Sequence, residues 1–151
     1  MGFSPIGLIV SLAVLAPNFL LLLCPPKTPI PAAAVPRPLG WAERGGQALC
    51  LVVPAITEPG TIVHWWAAPT LVCLALYYAL WGRYLLSGRT GAALYRPVWQ
   101  VPVPMALLPV LVFLGAAAWL GNGWIAAVAV IFAIGHVPTA LIAAKAVQAC
   151  R

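Results

Sequence analysis

Charge is what this sequence has least of. Only 7% of its 151 residues are charged, against about 25% in an ordinary soluble domain. A water-facing shell needs far more Lys, Arg, Asp and Glu, so a soluble globular protein is excluded. Acids are scarcest: there is no Asp, and Glu43 and Glu58 are the only two acidic side chains. No carboxylate sits in the middle of an apolar run, which disfavours a carrier with an ordinary Asp/Glu proton or sodium relay. The chain has no G-x-S-x-G, H-E-x-x-H or glycine-rich phosphate loop. It therefore offers no familiar motif for nucleophilic, metalloprotease or nucleotide chemistry. The four cysteines, Cys24, Cys50, Cys73 and Cys150, form no C-x-x-C pair, and His64 and His136 are not their sequence neighbours. Neither a metal site nor a structural disulfide is expected, and no cofactor. Met1–Ser4 carry no basic side chain, so the first apolar run lacks a signal peptide's n-region and reads as a retained span.

What is abundant is apolar: 64% of the residues are hydrophobic. A membrane helix needs about 20 such residues in a row. Five stretches qualify, at about 4–24, 41–57, 62–86, 101–120 and 124–149, as one domain over 1–151. The second is short in apolar residues, so its helix must take in Glu43, Arg44 and Gln47. The prolines between Pro25 and Pro38 predict an extended loop. Glu58-Pro59-Gly60 and Gly121-Asn122-Gly123 predict turns, and Ser87–Gln100 a polar loop.

Charge placement tests this count. With five crossings, Lys27, Arg37, Arg44, Arg83, Arg89, Arg96, Lys145 and Arg151 all fall on one face. With four crossings the separation breaks. Under the positive-inside rule that face is cytoplasmic, so the N-terminus is outside and the C-terminus inside. The expectation is an all-α, five-helix, multi-pass protein of a bacterial cell membrane. Its basic residues are scattered singly at span ends, so nucleic acid is not an expected partner. Trp65, Trp66 and Trp124 at the outer boundary, and Trp41, Trp81, Tyr84, Tyr95 and Trp99 at the inner one, read as an aromatic belt.

Every span contains proline. Pro17, Pro69, Pro109 and Pro138 lie deep enough to bend or loosen their helices, each freeing a carbonyl one turn upstream. Gly115–Ala118 and Ala126, Ala129 and Ala133 are small-residue runs, through which spans four and five should meet.

Polar groups inside lipid call for partners. Counted along the helices, Asn18, Gln47, Tyr77, Tyr78 and His136 all fall in the cytoplasmic half, with Glu43 and Arg44 near its edge. These seven are the candidate ligand-binding residues: a small polar site with Glu43 and Arg44 at its mouth. His136 would act as proton acceptor or as hydrogen-bond donor to a ligand. Interhelical hydrogen bonding, worth about 0.6 kcal/mol per contact, is the competing structural account. Glu43 and Arg44 would then only cap a helix start. Glu58 and His64 flank an outer loop but are too few for a metal site. Two functions stay open. One is a binding or accessory protein holding a lipid, a small apolar ligand or a partner helix, with another membrane protein or a second copy as partner. The other is a small carrier or membrane-embedded enzyme with His136 as its titrating group.

Pro17-Asn18 in the first span, Glu43-Arg44-Gly45 opening the second, and Gly135-His136 with Lys145 in the last carry a resemblance. In this order they resemble a group of small bacterial integral membrane proteins of similar length with five spans. The resemblance covers nearly the whole chain and implies a fold but no activity. This chain departs from the group at Gly46-Gln47, where a Gly-Arg pair is expected, which leaves the role of that position open. Size, span count and tryptophan content are also similar to those of the tryptophan-rich sensory proteins. That analogy is architectural only, since Arg96-Pro97-Val98-Trp99 sits in the wrong loop for their motifs.

Overall fold

A computed structural model describes residues 2–28, 30 and 33–149. Arg151 and Cys150, both weighed above for charge and for disulfide pairing, lie outside the described residues. The described chain is all-α apart from an isolated bridge between Val98 and Val101. In order, the helices are α1 (Pro5–Leu15), α2 (Leu20–Leu23), α3 (Arg37–Ile56), α4 (Ala67–Leu86), α5 (Gly91–Leu94), α6 (Pro104–Trp119) and α7 (Gly123–Ala149). Pro5–Leu23, taken with its 3-10 turn, and Gly123–Ala149 are long and apolar enough to cross a membrane; α6 is apolar but shorter.

Local chemistry explains the boundaries. Ser4 accepts from the Gly7 amide at 3.1 Å and starts α1, as a side-chain oxygen at an N-cap does. Pro17 turns the chain into a 3-10 segment over Ala16–Phe19 before α2, so the first span loosens where its deep proline stands. Two expectations need correction. The proline-rich loop ends earlier than expected: α3 begins at Arg37 with Pro38 in its first turn, where the missing N–H is one of the orphans anyway. Pro69 is not deep; it lies in the first turn of α4, after a 3-10 turn at His64–Trp66. The loop after α4 is also more ordered than expected, since it holds α5 and the Val98–Val101 turn.

Two prolines free carbonyls that side chains from other helices then occupy. Pro54 denies the Cys50 carbonyl its helical donor, and the Ser11 hydroxyl donates to it at 2.8 Å. Pro17 does the same to Ala13, whose carbonyl takes the Tyr78 hydroxyl at 2.9 Å. The Cys50 acceptor is buried and is satisfied in this way rather than left open; the Tyr78–Ala13 bond lies at the surface.

The main helices run antiparallel in sequence. Ser11 meets Cys50 across α1 and α3, and Cys50 meets Val128 across α3 and α7. One end gathers Ser4, Ala55, Thr57, Gly60 and Leu120 through backbone bonds. There Asn122 caps α7, accepting from Trp124 and Ile125, and donates to Thr57 Oγ1 at 2.9 Å and the Glu58 carbonyl at 3.1 Å. The other end joins Lys27 N–H to the Arg89 carbonyl at 2.8 Å and Arg83 to the Arg96 carbonyl at 3.1 Å. It also carries the start of α3, with Arg37 and Arg44, and the last turns of α7, with Lys145. The described Lys and Arg side chains thus share the same end.

The core runs between α1, α3, α6 and α7, with Val112, Phe113, Leu120, Ile125 and Ala129 at its centre. α3 and α7 also pack closely. A Cβ on Gly46 would strike Phe132, and one on Gly135 would strike the Glu43 backbone. The small-residue expectation therefore holds in part. Ala116, Ala117 and Ala129 are buried together, but Gly115 faces Thr70 of α4 rather than α7. The aromatic belt also needs revision. Trp41, Trp65, Trp99 and Trp124 are exposed, whereas Trp81 and Tyr84 are buried in an edge-to-face run with Tyr77.

Candidate functional site

Toward the Lys/Arg end the helices do not close completely. They enclose a cavity of about 680 Å³ walled by residues from α1 through α7 and from the 3-10 segment. The 3-10 turn after Pro17 brings Asn18 to this space, and the start of α3 brings Glu43 and Gln47 one turn apart. α4 contributes Tyr77 and Trp81, α5 and the residue after it Leu94 and Tyr95, and α7 Phe132, His136 and Thr139.

Of the seven sequence candidates, Asn18, Glu43, Gln47, Tyr77 and His136 line this cavity. Arg44 and Tyr78 do not. Arg44 is exposed on the outer side of α3 and is not at the mouth. Tyr78 is spent on the Ala13 carbonyl. The reason is helical geometry: neighbours differ by about 100° around the axis, so Glu43 and Arg44, or Tyr77 and Tyr78, cannot both face inward.

The polar groups form two pairs. His136 Nδ1 lies 2.8 Å from Glu43 Oε1, with the two side chains 22% and 21% exposed. The glycines explain this contact. Gly135 precedes His136 and sits against the Glu43 backbone, so α3 and α7 are close enough for short side chains to meet. Phe132, one turn before His136, stacks on the imidazole at 4.6 Å and fixes its plane. The second pair is Tyr77 with Asn18, the phenol donating to Asn18 Oδ1 at 3.3 Å.

Other lining residues escaped the sequence reading. Trp81 is one turn beyond Tyr77 and Thr139 nearly one turn beyond His136, so helical spacing carried a signal for both. The buried indole N–H of Trp81 has no hydrogen-bond partner among the described residues. Tyr95 had no such signal, because it reaches the cavity from a loop. Burial, and then the Glu43 carboxylate, push its phenol above the ordinary tyrosine range. Met105 and Pro109 also line the wall. Pro109, inside α6, cannot donate to the Met105 carbonyl one turn before it. Glu58 and His64, by contrast, form no ion pair or metal cluster among the described residues.

Chemically, the site is an apolar chamber with an acid–imidazole pair on one wall and a phenol–amide pair contributed by α4 and the first helical run. No protein-family model, curated protein or solved structure matches the chain.

Proposed function

We propose that the chain is a multi-pass protein of the bacterial cell membrane, crossing five times with its Lys/Arg end in the cytoplasm. Its cavity holds a lipid or small apolar ligand. The observation that carries this reading is the convergence of Asn18, Gln47, Tyr77, Glu43 and His136, from separate helical segments, on one largely apolar space of about 680 Å³. That volume lies within the range of small-molecule sites, about 300–1,000 Å³.

Placement in a membrane is supported by what the helices leave uncovered. Of the apolar windows in Pro5–Leu23 and Gly123–Ala149, only 28% and 33% is buried inside the molecule. A soluble protein's core helix of this composition would be mostly covered. Leu12, Leu71, Leu76, Leu111, Val130 and Ile134 are instead exposed. An apolar surface of that extent suits lipid, not water. The first run packs on α3 through Ser4, Gly7 and Ser11, which supports reading it as part of the bundle. One end carries the described Lys and Arg, as the positive-inside rule requires of a cytoplasmic face.

A second reading, a small carrier or membrane enzyme, is favoured by the Glu43–His136 contact, since such a pair can hold and pass a proton. Native mass spectrometry of the protein released from lipid nanodiscs tests the first reading. A retained small molecule, lost in His136→Ala while the helical content stays native, is the expected result. A native-like protein that carries nothing in either form overturns it.

A further inference from the structure

The cavity reading above can be taken one step further, to the chemistry of the ligand. We infer that the site takes an amphiphile whose head donates a hydrogen bond and carries no negative charge, an alcohol or an amine on an apolar tail. The step rests on the ligand-holding reading of the same cavity.

Three observations carry it. First, the lining contains the Glu43 carboxylate and none of the described Lys or Arg side chains, although these gather at the same end of the molecule. A carboxylate or phosphate head would enter a largely apolar space beside an acid, with no Lys or Arg side chain in the lining to offset either repulsion or desolvation. Second, the polar atoms left for a ligand beside Glu43 are acceptors, while the Trp81 indole N–H and the Gln47 and Asn18 amides elsewhere on the wall offer donors that a hydroxyl head can also meet. Glu43 keeps a second oxygen beyond the one that meets His136. With the imidazole proton on Nδ1, toward that carboxylate, Nε2 is an acceptor as well. A hydroxyl or an ammonium group supplies the missing donor. Third, Phe19 and Leu22 both line the cavity and are 62% and 78% exposed. The wall is open rather than sealed there, so a tail longer than the chamber can leave past these apolar side chains.

The test compares three probes of equal chain length, dodecanol, dodecylamine and dodecanoate. Binding is measured on the full chain in nanodiscs of zwitterionic lipid, by titration of the melting temperature, with ligand retention confirmed by native mass spectrometry. The alcohol and the amine are expected to bind at least about tenfold more tightly than the carboxylate. Glu43→Gln, which keeps the shape and removes the charge, is expected to narrow that gap by strengthening carboxylate binding. Equal or tighter binding of dodecanoate by the native chain overturns the inference and leaves the ligand-holding reading standing. An unchanged preference in a folded Glu43→Gln variant also overturns it, since the discrimination would then not come from this acid. If none of the three binds, the ligand-holding reading fails as well.

Discussion

Ser11 and Tyr78 do the same work in different places: each gives a hydroxyl proton to a carbonyl that a proline has left without its helical partner. A buried acceptor stripped of its donor costs about 1–3 kcal/mol. Ser11→Ala should therefore lower stability by about that amount, read as a shift in thermal or denaturant midpoint. In a Pro54→Ala background the helix regains its own donor to Cys50, so the same substitution should cost distinctly less. A double-mutant cycle with no coupling would refute this account. Tyr95 gives a pH prediction. Its phenol is raised in the folded state by burial and by Glu43, so the unfolded chain loses this proton first as pH rises. Stability from this group is complete below the ordinary tyrosine value of about 10 and is lost as pH climbs through the raised one. Tyr95→Phe should flatten that alkaline decline in a pH series of melting curves.

Elements meet where glycine allows it. The α3–α7 contact depends on Gly46 and Gly135, whose missing side chains leave room for the facing backbone. Gly135→Ala should force the helices apart, costing about 1–3 kcal/mol as overpacking does, and should separate His136 from Glu43. Gly82 in α4 is the control, because a Cβ there meets nothing within 4 Å. Gly82→Ala should be neutral or stabilising by up to about 1 kcal/mol, since alanine suits a helix interior better. Comparable losses in the two variants, measured by melting temperature, would argue against a close crossing. This geometry was half legible: Gly135-His136 stood out in the sequence, but the partner surface did not. Composition marked the alanine-rich runs of α6 and α7, yet small residues are equally small toward any neighbour, and Gly115 turned to Thr70 instead.

For the whole molecule, the expected membrane orientation makes a compartment prediction. In a background lacking the native cysteines, Arg37→Cys and Arg89→Cys should react with an impermeant thiol reagent from the same compartment, and Glu58→Cys from the opposite one. Reaction of the first two from opposite sides would overturn the five-span arrangement. The fold already ties these regions pairwise, the Lys27 amide to the Arg89 carbonyl at one end and Asn122 to Thr57 and Glu58 at the other.

The all-α character and the helical segments were readable from the chain alone, because hydrophobic run length and proline and glycine punctuation act locally. So was the shortlist of polar residues, since a polar group among apolar neighbours is conspicuous in one dimension. Which of them face inward was not, because that depends on helix rotation. Rotation was set by contacts distant in sequence, above all the packing of Gly135 on Glu43. Tyr95 entered the cavity wall for the same reason: its loop is placed by the helices around it, and nothing in its own sequence neighbourhood encodes that position.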